Sequence, residues 1–376
     1  MARHIQRLHI EAYRGIVNLS LEELGDINIL VGDNNSGKTS VLESLLLLSR
    51  PMDFNNVISV SRKRDSYRNL IRFGPDLYES FIYMFNPRNN EMQIAISGEV
   101  CHKKVEMLLK GNIEKMLVDI DEIIRQSPYL NERIKEGILS DGEEIEGFVG
   151  EISYFIESAQ VSLLGNDLIT EPVYFHKYIK RIGLNKTQPI IDMHFISTVD
   201  HILDNTFRNI TRNRNVTEEV VQILKIFDEG IIDLRIAQND EGRYVQMIEH
   251  KSLGSMPIST YGDGIKKVIA LANAIVGARN GVLLIDEIET SIHKSAMKKI
   301  FSWLVDACEK FDVQLFLTTH SLEAVDELLN SDKSILDNNM VKVITLVKKN
   351  EQTVARILSA EKALQAREDY NMELRK

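Results

Sequence analysis

The sequence has few cysteines, no excess of basic residues and no long apolar run. Its two cysteines, Cys101 and Cys308, lie far apart and in no paired motif, which argues against a disulfide framework or a zinc site. The net charge of −10 lacks the basic excess typical of a broad DNA-binding surface. The longest apolar run near the start, Leu45–Leu48, is far too short to span a bilayer. We therefore expect a cytoplasmic protein that has no membrane partner.

The pattern of apolar residues predicts an α/β fold with a mixed or parallel central sheet. Helices and strands alternate from residue 261 to residue 357, as in parallel sheets that are covered by helices. Apolar residues of 103–164 recur at helical spacing, which predicts a mostly helical insertion. We therefore divide the chain into a lobe at 1–100, an insertion at 101–189 and a second lobe at 190–376.

The segment Gly32–Thr39 matches the phosphate-binding pattern G-x-x-x-x-G-K-[ST] and lies between a predicted strand and a predicted helix. Such a loop directs several backbone N–H groups, and the positive end of the next helix, at one phosphate group. We predict that Lys38 reaches the β- and γ-phosphates of ATP and that the Thr39 hydroxyl is a ligand of Mg²⁺. The other predicted phosphate contacts are Gly32, Asn34, Asn35, Ser36, Gly37 and Ser40.

A second motif places two acids, Asp286 and Glu287, directly after the apolar strand Val282–Ile285. Ligands of open α/β sheets bind at this end of the strands. We predict that Asp286 holds Mg²⁺, directly or through water, and that Glu287 polarises the attacking water. By themselves these residues also fit a buried strand followed by a solvated acidic turn, but the phosphate-binding loop favours the catalytic interpretation.

Two further segments end at polar residues. His320 follows the predicted strand Gln314–Thr318 and is predicted to hydrogen-bond the γ-phosphate or the water. A glycine-rich turn containing Ser259, Gly262 and Gly264 precedes a predicted helix, which makes it a second anion site. One chain does not need both this turn and the Gly32–Thr39 loop to bind a single γ-phosphate. The turn therefore predicts a homodimer with ATP at the interface, and a capped helix after a tight turn is the alternative interpretation.

In this order the four elements resemble the Walker A, signature, Walker B and switch-histidine motifs of ABC-type ATPases. Within that superfamily, Tyr261–Lys267 and Leu284–His293 are most similar to the ATPase module of the overcoming-lysogenization-defect (OLD) group. Glu11–Gly15 is similar to a Phe-Arg-Gly segment of that group, which implies that Arg14 lies close to the bound nucleotide. The chain departs from the family in three respects. Its Leu-Ser-Gly-Gly signature is not intact, its Q-loop glutamine is not evident although Gln93 is a candidate, and we expect no Toprim nuclease domain.

The resemblance implies an ATP-driven switch. Two protomers, or a higher oligomer, would close on ATP and control a separate effector, such as a Toprim-like nuclease or a toxin, in bacterial defence against phage or plasmids. The alternative is an ATPase similar to the RecF and structural-maintenance-of-chromosomes (SMC) proteins that acts directly on DNA. Its candidate basic clusters are Arg62, Lys63, Arg64 and Arg68, and Arg208, Arg212 and Arg214.

An ABC transporter subunit is a third interpretation. It is disfavoured because the signature is not intact and because the insertion after the first motif is large. Residues 51–190 contain no motif that we recognise, so we assign them by elimination to a surface for a partner or a signal.

Overall fold

The computed structural model of the chain describes residues 3–65, 76–87, 91–117, 142–157, 168–178, 188–200, 208–238, 242–331, 340–350, 352–370 and 372–375. The chain divides into two compact units. The first unit comprises Met1–Gln6, Glu23–Leu42 and Ile191–Lys376. The second unit comprises Arg7–Glu22 and Glu43–Ile190.

The strands are numbered in chain order. They are β1 Ile5–Tyr13, β2 Ile16–Leu21, β3 Ile27–Val31, β4 Met92–Val100, β5 Lys103–Leu117, β6 Glu144–Ile156, β7 Ile169–His176, β8 Met193–Ile196, β9 Ile231–Gln238, β10 Tyr244–His250, β11 Gly254–Pro257, β12 Val282–Ile285, β13 Gln314–Thr318, β14 Val341–Lys349 and β15 Gln352–Ser359.

The helices are numbered in the same way. They are α1 Lys38–Ser49, α2 Phe54–Ser61, α3 Leu77–Ile82, α4 Arg208–Thr211, α5 Arg214–Leu224, α6 Asp263–Gly277, α7 Lys294–Phe311, α8 Leu322–Leu329 and α9 Ala360–Tyr370, with short 3₁₀ turns at Lys63–Asp65 and Ile258–Thr260.

A six-stranded sheet with the order β15-β14-β3-β13-β12-β8 organises the first unit. Its neighbours from β14 to β8 pair in parallel, and β15 joins β14 as an antiparallel hairpin. Every residue of β3, β12 and β13 is buried, as expected for parallel strands that are covered on both faces. The mixed sheet confirms the predicted α/β fold.

The parallel register brings several strand ends to one edge of this sheet. Ile285 is paired with Leu317, and Thr318 is paired with Leu30. The residues that follow β3, β12 and β13 therefore emerge side by side. Helices α6 and α7 bury apolar residues in the core of the same unit, which holds the sheet rigid behind that edge. A small antiparallel sheet, β11-β10-β9, completes the first unit.

The second unit is built on a sheet with the order β2-β1-β4-β5-β6-β7. Its core includes a group of aromatic rings that join α2 and α3 to strands β6 and β7. Phe81 has its ring centroid 5.4 Å from that of Phe54, 5.2 Å from Phe85, 5.1 Å from Phe148 and 5.2 Å from Phe175. All five rings are buried. Edge-to-face contacts dominate the group, an arrangement that aromatic pairs favour.

The predicted helical insertion is wrong for the described residues. Lys103–Leu117 and Glu144–Ile156 are long antiparallel strands, paired from Val105 with Ile156 to Leu117 with Glu144. In the first of these strands every second residue from Val105 to Leu109 is buried, at Val105, Met107 and Leu109, as expected for a β-strand. Apolar and charged residues are mixed along the strand, so this alternation was not evident from the sequence. Residues 118–141 and 158–164 of the same prediction lie outside the described residues. The compact units also divide the chain differently from the segments 1–100, 101–189 and 190–376.

Candidate active site

The glycine-rich loop between β3 and α1 has the backbone that phosphate binding requires. Gly32 and Gly37 have φ angles of 148° and 104°, and Asn35 lies between them at 62°. A Cβ atom on Gly32 would lie 2.4 Å from the carbonyl oxygen of Leu346, so no larger residue fits there. The buried Ser36 hydroxyl has no hydrogen-bond partner among the described residues, which suits a loop that binds an external acceptor. Asn34 is exposed, and Ser40 is buried in the first turn of α1.

Lys38 lies over this loop at the start of α1. Its Nζ donates hydrogen bonds to the carbonyl oxygens of Gly32 (2.8 Å) and Asp33 (3.0 Å). Burial lowers the pKa of the Lys38 amine, while the charges of Asp286 and Glu287 oppose that shift. The ammonium is therefore held between the loop and the acids at the end of β12.

Threonine hydroxyls connect the acids at the ends of neighbouring strands. Thr39 Oγ1 donates to Asp286 and lies 3.1 Å from each carboxylate oxygen. Thr318 Oγ1 donates to Asp286 Oδ1 (2.7 Å) and accepts from the Glu287 N–H (2.8 Å). The Glu287 backbone has a φ of 48°, an unfavourable value for a residue with a side chain. Thr318 thus fixes both acids, a role that its position within a buried strand did not reveal.

His320 lies beside these acids and has a further partner, Glu289, while its predicted contact with the γ-phosphate or the water stays a prediction. Its Nδ1 is 3.1 Å from Glu289 Oε1 and 3.9 Å from Glu287 Oε1. The His320 N–H also donates to Glu289 Oε1 (2.9 Å). Side-chain exposure is 51% for His320, 41% for Glu287 and only 10% for Glu289. The first two side chains can therefore reach a ligand, whereas Glu289 acts as an anchor.

The turn that contains Ser259, Gly262 and Gly264 also lies in the first unit. Gly262 is the N-cap of α6, makes no side-chain capping bond and is exposed, as is Ser259. Among the described residues, no hydrogen bond joins this turn to the Gly32–Thr39 loop. A Cβ atom on Gly264 would lie 3.3 Å from the carbonyl oxygen of Ser291, so the turn packs beside the segment that follows Glu289. The structure therefore places this turn near the end of the Leu284–His293 segment.

Helix α6 also contributes a buried charge that the sequence analysis did not assign. Lys267 is fully buried, and its Nζ has no hydrogen-bond partner among the described residues. Burial lowers the pKa of this amine to about 8, opposed by the negative charges of Asp200, Glu289, Asp286 and Glu287. The charges of Asp286, Glu287 and Glu289 therefore act on the Lys267 ammonium as they do on that of Lys38.

Arg14 belongs to the second unit, where Glu43 holds it. The fully buried Glu43 carboxylate accepts from Arg14 Nε (2.8 Å), Arg64 Nε (2.8 Å) and the Tyr13 hydroxyl (3.1 Å). The predicted contact of Arg14 with the nucleotide stays a prediction. Gln93 lies in β4 of this unit, and its predicted Q-loop role is likewise untested.

The two basic clusters are partly neutralised by carboxylates. Arg64 pairs with Glu43, and Arg214 pairs with Glu218 (2.9 Å) and Asp233 (3.2 Å). Arg62 and Arg212 are exposed, whereas Arg68 and the side chain of Arg208 lie outside the described residues.

The donor set suits Mg²⁺ as a partner of the phosphates. Thr39 and Asp286 offer oxygen atoms, which this hard cation prefers, and they are already adjacent. The described residues contain no cluster of three or more His, Cys, Asp or Glu side chains that would hold a metal ion. Thr39 and Asp286 are therefore the residues that would hold a magnesium ion, whose charge would stabilise the phosphates.

A comparison with known protein families settles the class. The model of the family described as "AAA domain, putative AbiEii toxin, Type IV TA system" matches residues 27–326. The chain belongs to this AAA-domain family. An ATP/GTP phosphatase from Helicobacter pylori is 25% identical over 348 residues, which cover 86% of this chain and 87% of the relative. The chain is therefore a P-loop ATPase of the ABC type, as predicted, and its family implies ATP and, as a rule, Mg²⁺.

The chain is also similar to a DNA replication and repair protein and to a solved head domain. The DNA replication and repair protein RecF of Staphylococcus haemolyticus is 22% identical over 379 residues, covering 88% of this chain and 96% of that protein. A solved SMC head domain from Thermotoga maritima is 10% identical, with a TM-score of 0.46 over 95% of this chain and 99% of that domain. Within the described part of the chain, no helix has the length and apolar character needed to cross a membrane.

Proposed function

We propose that this ATPase is a dimeric switch that controls a separate effector. Two protomers close on ATP so that the glycine-rich loop of one and the Ser259–Gly264 turn of the other hold the same nucleotide. Hydrolysis then reopens the pair. The observation that carries this proposal is the open N-terminus of α6, which is exposed, uncapped by a side chain and not bonded to the glycine-rich loop of its own chain.

The side chains around Glu287 support the hydrolytic half of this cycle. Lys38 and the N–H groups of the loop bind the phosphates, and Thr39 and Asp286 would hold Mg²⁺, whose charge would stabilise the phosphate oxygens. Glu287 accepts a hydrogen bond from the attacking water and orients it for attack on the γ-phosphorus. His320 donates a hydrogen bond to the γ-phosphate, with its ring oriented by Glu289.

An effector role in defence is supported by the family description, which names a toxin and a toxin–antitoxin system. The similarity of Tyr261–Lys267 and Leu284–His293 to the OLD group supports the same assignment. The effector is a nuclease or toxin on another polypeptide. Residues 51–190 form the surface that receives it or its signal.

Direct action on DNA is the second candidate, and the RecF relative favours it because the match extends over most of both chains. The net charge of −10 and the carboxylate partners of Arg64 and Arg214 count against it. The two candidates differ in whether the active ATP-bound assembly contains a second protein.

The first test is a Glu287→Gln variant, purified from the native host and weighed by native mass spectrometry with ATP. Loss of the carboxylate that polarises water is expected to slow hydrolysis about a hundredfold or more and to trap the ATP-bound dimer. A stoichiometric second polypeptide in that assembly supports the effector proposal.

Lys38→Ala is the matched control because it removes phosphate binding at the same site. It is expected to weaken ATP binding and to leave the protein monomeric with ATP. If Glu287→Gln hydrolysed ATP at the normal rate, the proposed role of Glu287 would be wrong. A bare homodimer would shift the assignment to direct action on DNA.

A further inference from the structure

The backbone of His320 is bonded on both sides by charged side chains. Its N–H donates to Glu289 Oε1 (2.9 Å), and its carbonyl oxygen accepts from Arg375 Nη1 (3.0 Å). Glu289 also contacts the imidazole at 3.1 Å. Glu289 thus holds the N–H of His320 and Arg375 holds its carbonyl oxygen. With the backbone fixed on both sides, the imidazole can reach fewer positions.

Arg375 comes from a segment that is distant in sequence but firmly packed. The neighbouring Leu374 is fully buried in the core of the first unit. Its carbonyl oxygen accepts from Thr345 Oγ1 (2.7 Å), and Thr345 on β14 pairs with Val31, the last residue before the glycine-rich loop. The buried leucine and this hydrogen bond tie the Arg375 backbone to the strand that adjoins the loop.

Further bonds fix the start of the segment and the guanidinium itself. The N–H of Met372 donates to the carbonyl oxygen of Ala366 (2.9 Å), and the carbonyl of Met372 accepts from Arg367 Nη1 (3.0 Å). The Arg375 guanidinium forms a two-pronged ion pair with Glu373. Because that ion pair uses Nε and Nη2, it leaves Nη1 directed at His320.

We propose that Arg375 is a positioning residue for His320, which it holds against Glu289 so that the imidazole meets the γ-phosphate. Arg375 does not itself touch the reacting atoms. Its charge is already balanced by Glu373, so its contribution is the oriented hydrogen bond. The inference rests on the proposed role of His320, and it links residues 372–375 to the catalytic rate.

The experiment is a double-mutant cycle of Arg375→Ala and His320→Ala, measured as kcat and KM for ATP. We expect Arg375→Ala to lower kcat about tenfold, the loss typical of a hydrogen bond to a charged group, with KM within about twofold. In the His320→Ala background the same change is expected to have no further effect, because the residue that it positions is gone. Arg375→Lys is expected to recover only part of the rate, since an ammonium lacks the planar fork.

The control is Arg235→Ala, another exposed arginine of the first unit with carboxylate partners, Asp233 and Glu249. It is expected to leave kcat unchanged. If His320→Ala lowered kcat and Arg375→Ala did not, the inference would fail and the proposed function would stand. An equal loss in both backgrounds would also overturn it, because Arg375 would then act without His320. Wild-type kcat in His320→Ala would instead remove the proposed role of His320, and this inference with it.

Discussion

Two lysines of the first unit show how the surroundings of an amine affect its hydrogen bonding and its pKa. The half-buried Lys38 and the fully buried Lys267 are influenced by the same acids, yet only Lys38 has hydrogen-bond partners among the described residues. Lys267 instead balances the carboxylates at a distance. A charge without a hydrogen bond is costly to bury. The titration of Lys267 should therefore change the free energy of unfolding as the pH changes.

The pKa of Lys267 predicts the sign of that dependence. The folded protein holds its pKa at about 8, below the ordinary value of 10.5. Between these values the unfolded chain binds more protons than the folded chain, so the stability of the folded state rises as the pH rises through this window. The free energy of unfolding should gain on the order of 3 kcal/mol from this group.

Denaturant unfolding of the wild type and of Lys267→Met, at pH 7.5 and at pH 10.5, measures the effect. The wild type should gain stability relative to the variant over this interval. Equal changes in the two proteins would mean that Lys267 titrates in the folded protein as it does in the unfolded chain.

At the scale of elements, aromatic rings connect two short helices of the second unit to its sheet. Helices α2 and α3 are short, with eight and six residues, and each contributes a ring to the group. Short helices have little stability of their own, so the rings hold them against the sheet.

Phe81→Ala is therefore expected to lower the free energy of unfolding by about 3–5 kcal/mol, through lost burial and the cavity that it leaves. The comparison is Tyr83→Ala, two residues along the chain, whose side chain is 64% exposed and should matter by less than about 0.5 kcal/mol. Both values come from denaturant unfolding followed by circular dichroism. Similar losses in the two variants would contradict an aromatic core at Phe81.

At the scale of the whole molecule, charge sets what the chain can bind. The net charge is −10, and two of the candidate basic side chains are paired with carboxylates. Long-range repulsion should therefore keep the isolated chain away from duplex DNA unless a local cluster overcomes it.

We expect no saturable binding to a fluorescent duplex below about 10⁻⁴ M at physiological salt, with a shallow dependence on salt. Fluorescence anisotropy between about 50 and 200 mM salt measures both quantities. The combined change of Arg212 and Arg214 to alanine is the matched variant. Tight binding whose logarithmic salt slope falls by about two in that variant would support direct action on DNA instead.

The sequence by itself determined the α/β fold of the first unit and which predicted site residues follow its strands. The glycine pattern of 32–39, the acids after Val282–Ile285 and the histidine after Gln314–Thr318 were readable because parallel strands are apolar throughout and deliver polar residues at one edge. The bounds of β12 and β13 were predicted to the residue.

Only the tertiary structure decided the strands of the second unit and the residues that support the site. Lys103–Leu117 has apolar residues compatible with both helical and strand spacing, and its pairing with β4 and β6, which fixed the choice, joins residues far apart in sequence. Thr318, Glu289, Lys267 and Arg375 are ordinary residues in the sequence. Thr318, Glu289 and Arg375 support the site only because folding brings them into contact with Asp286 or His320, and Lys267 only because folding buries its charge near the same acids. No local pattern records a contact between residue 320 and residue 375.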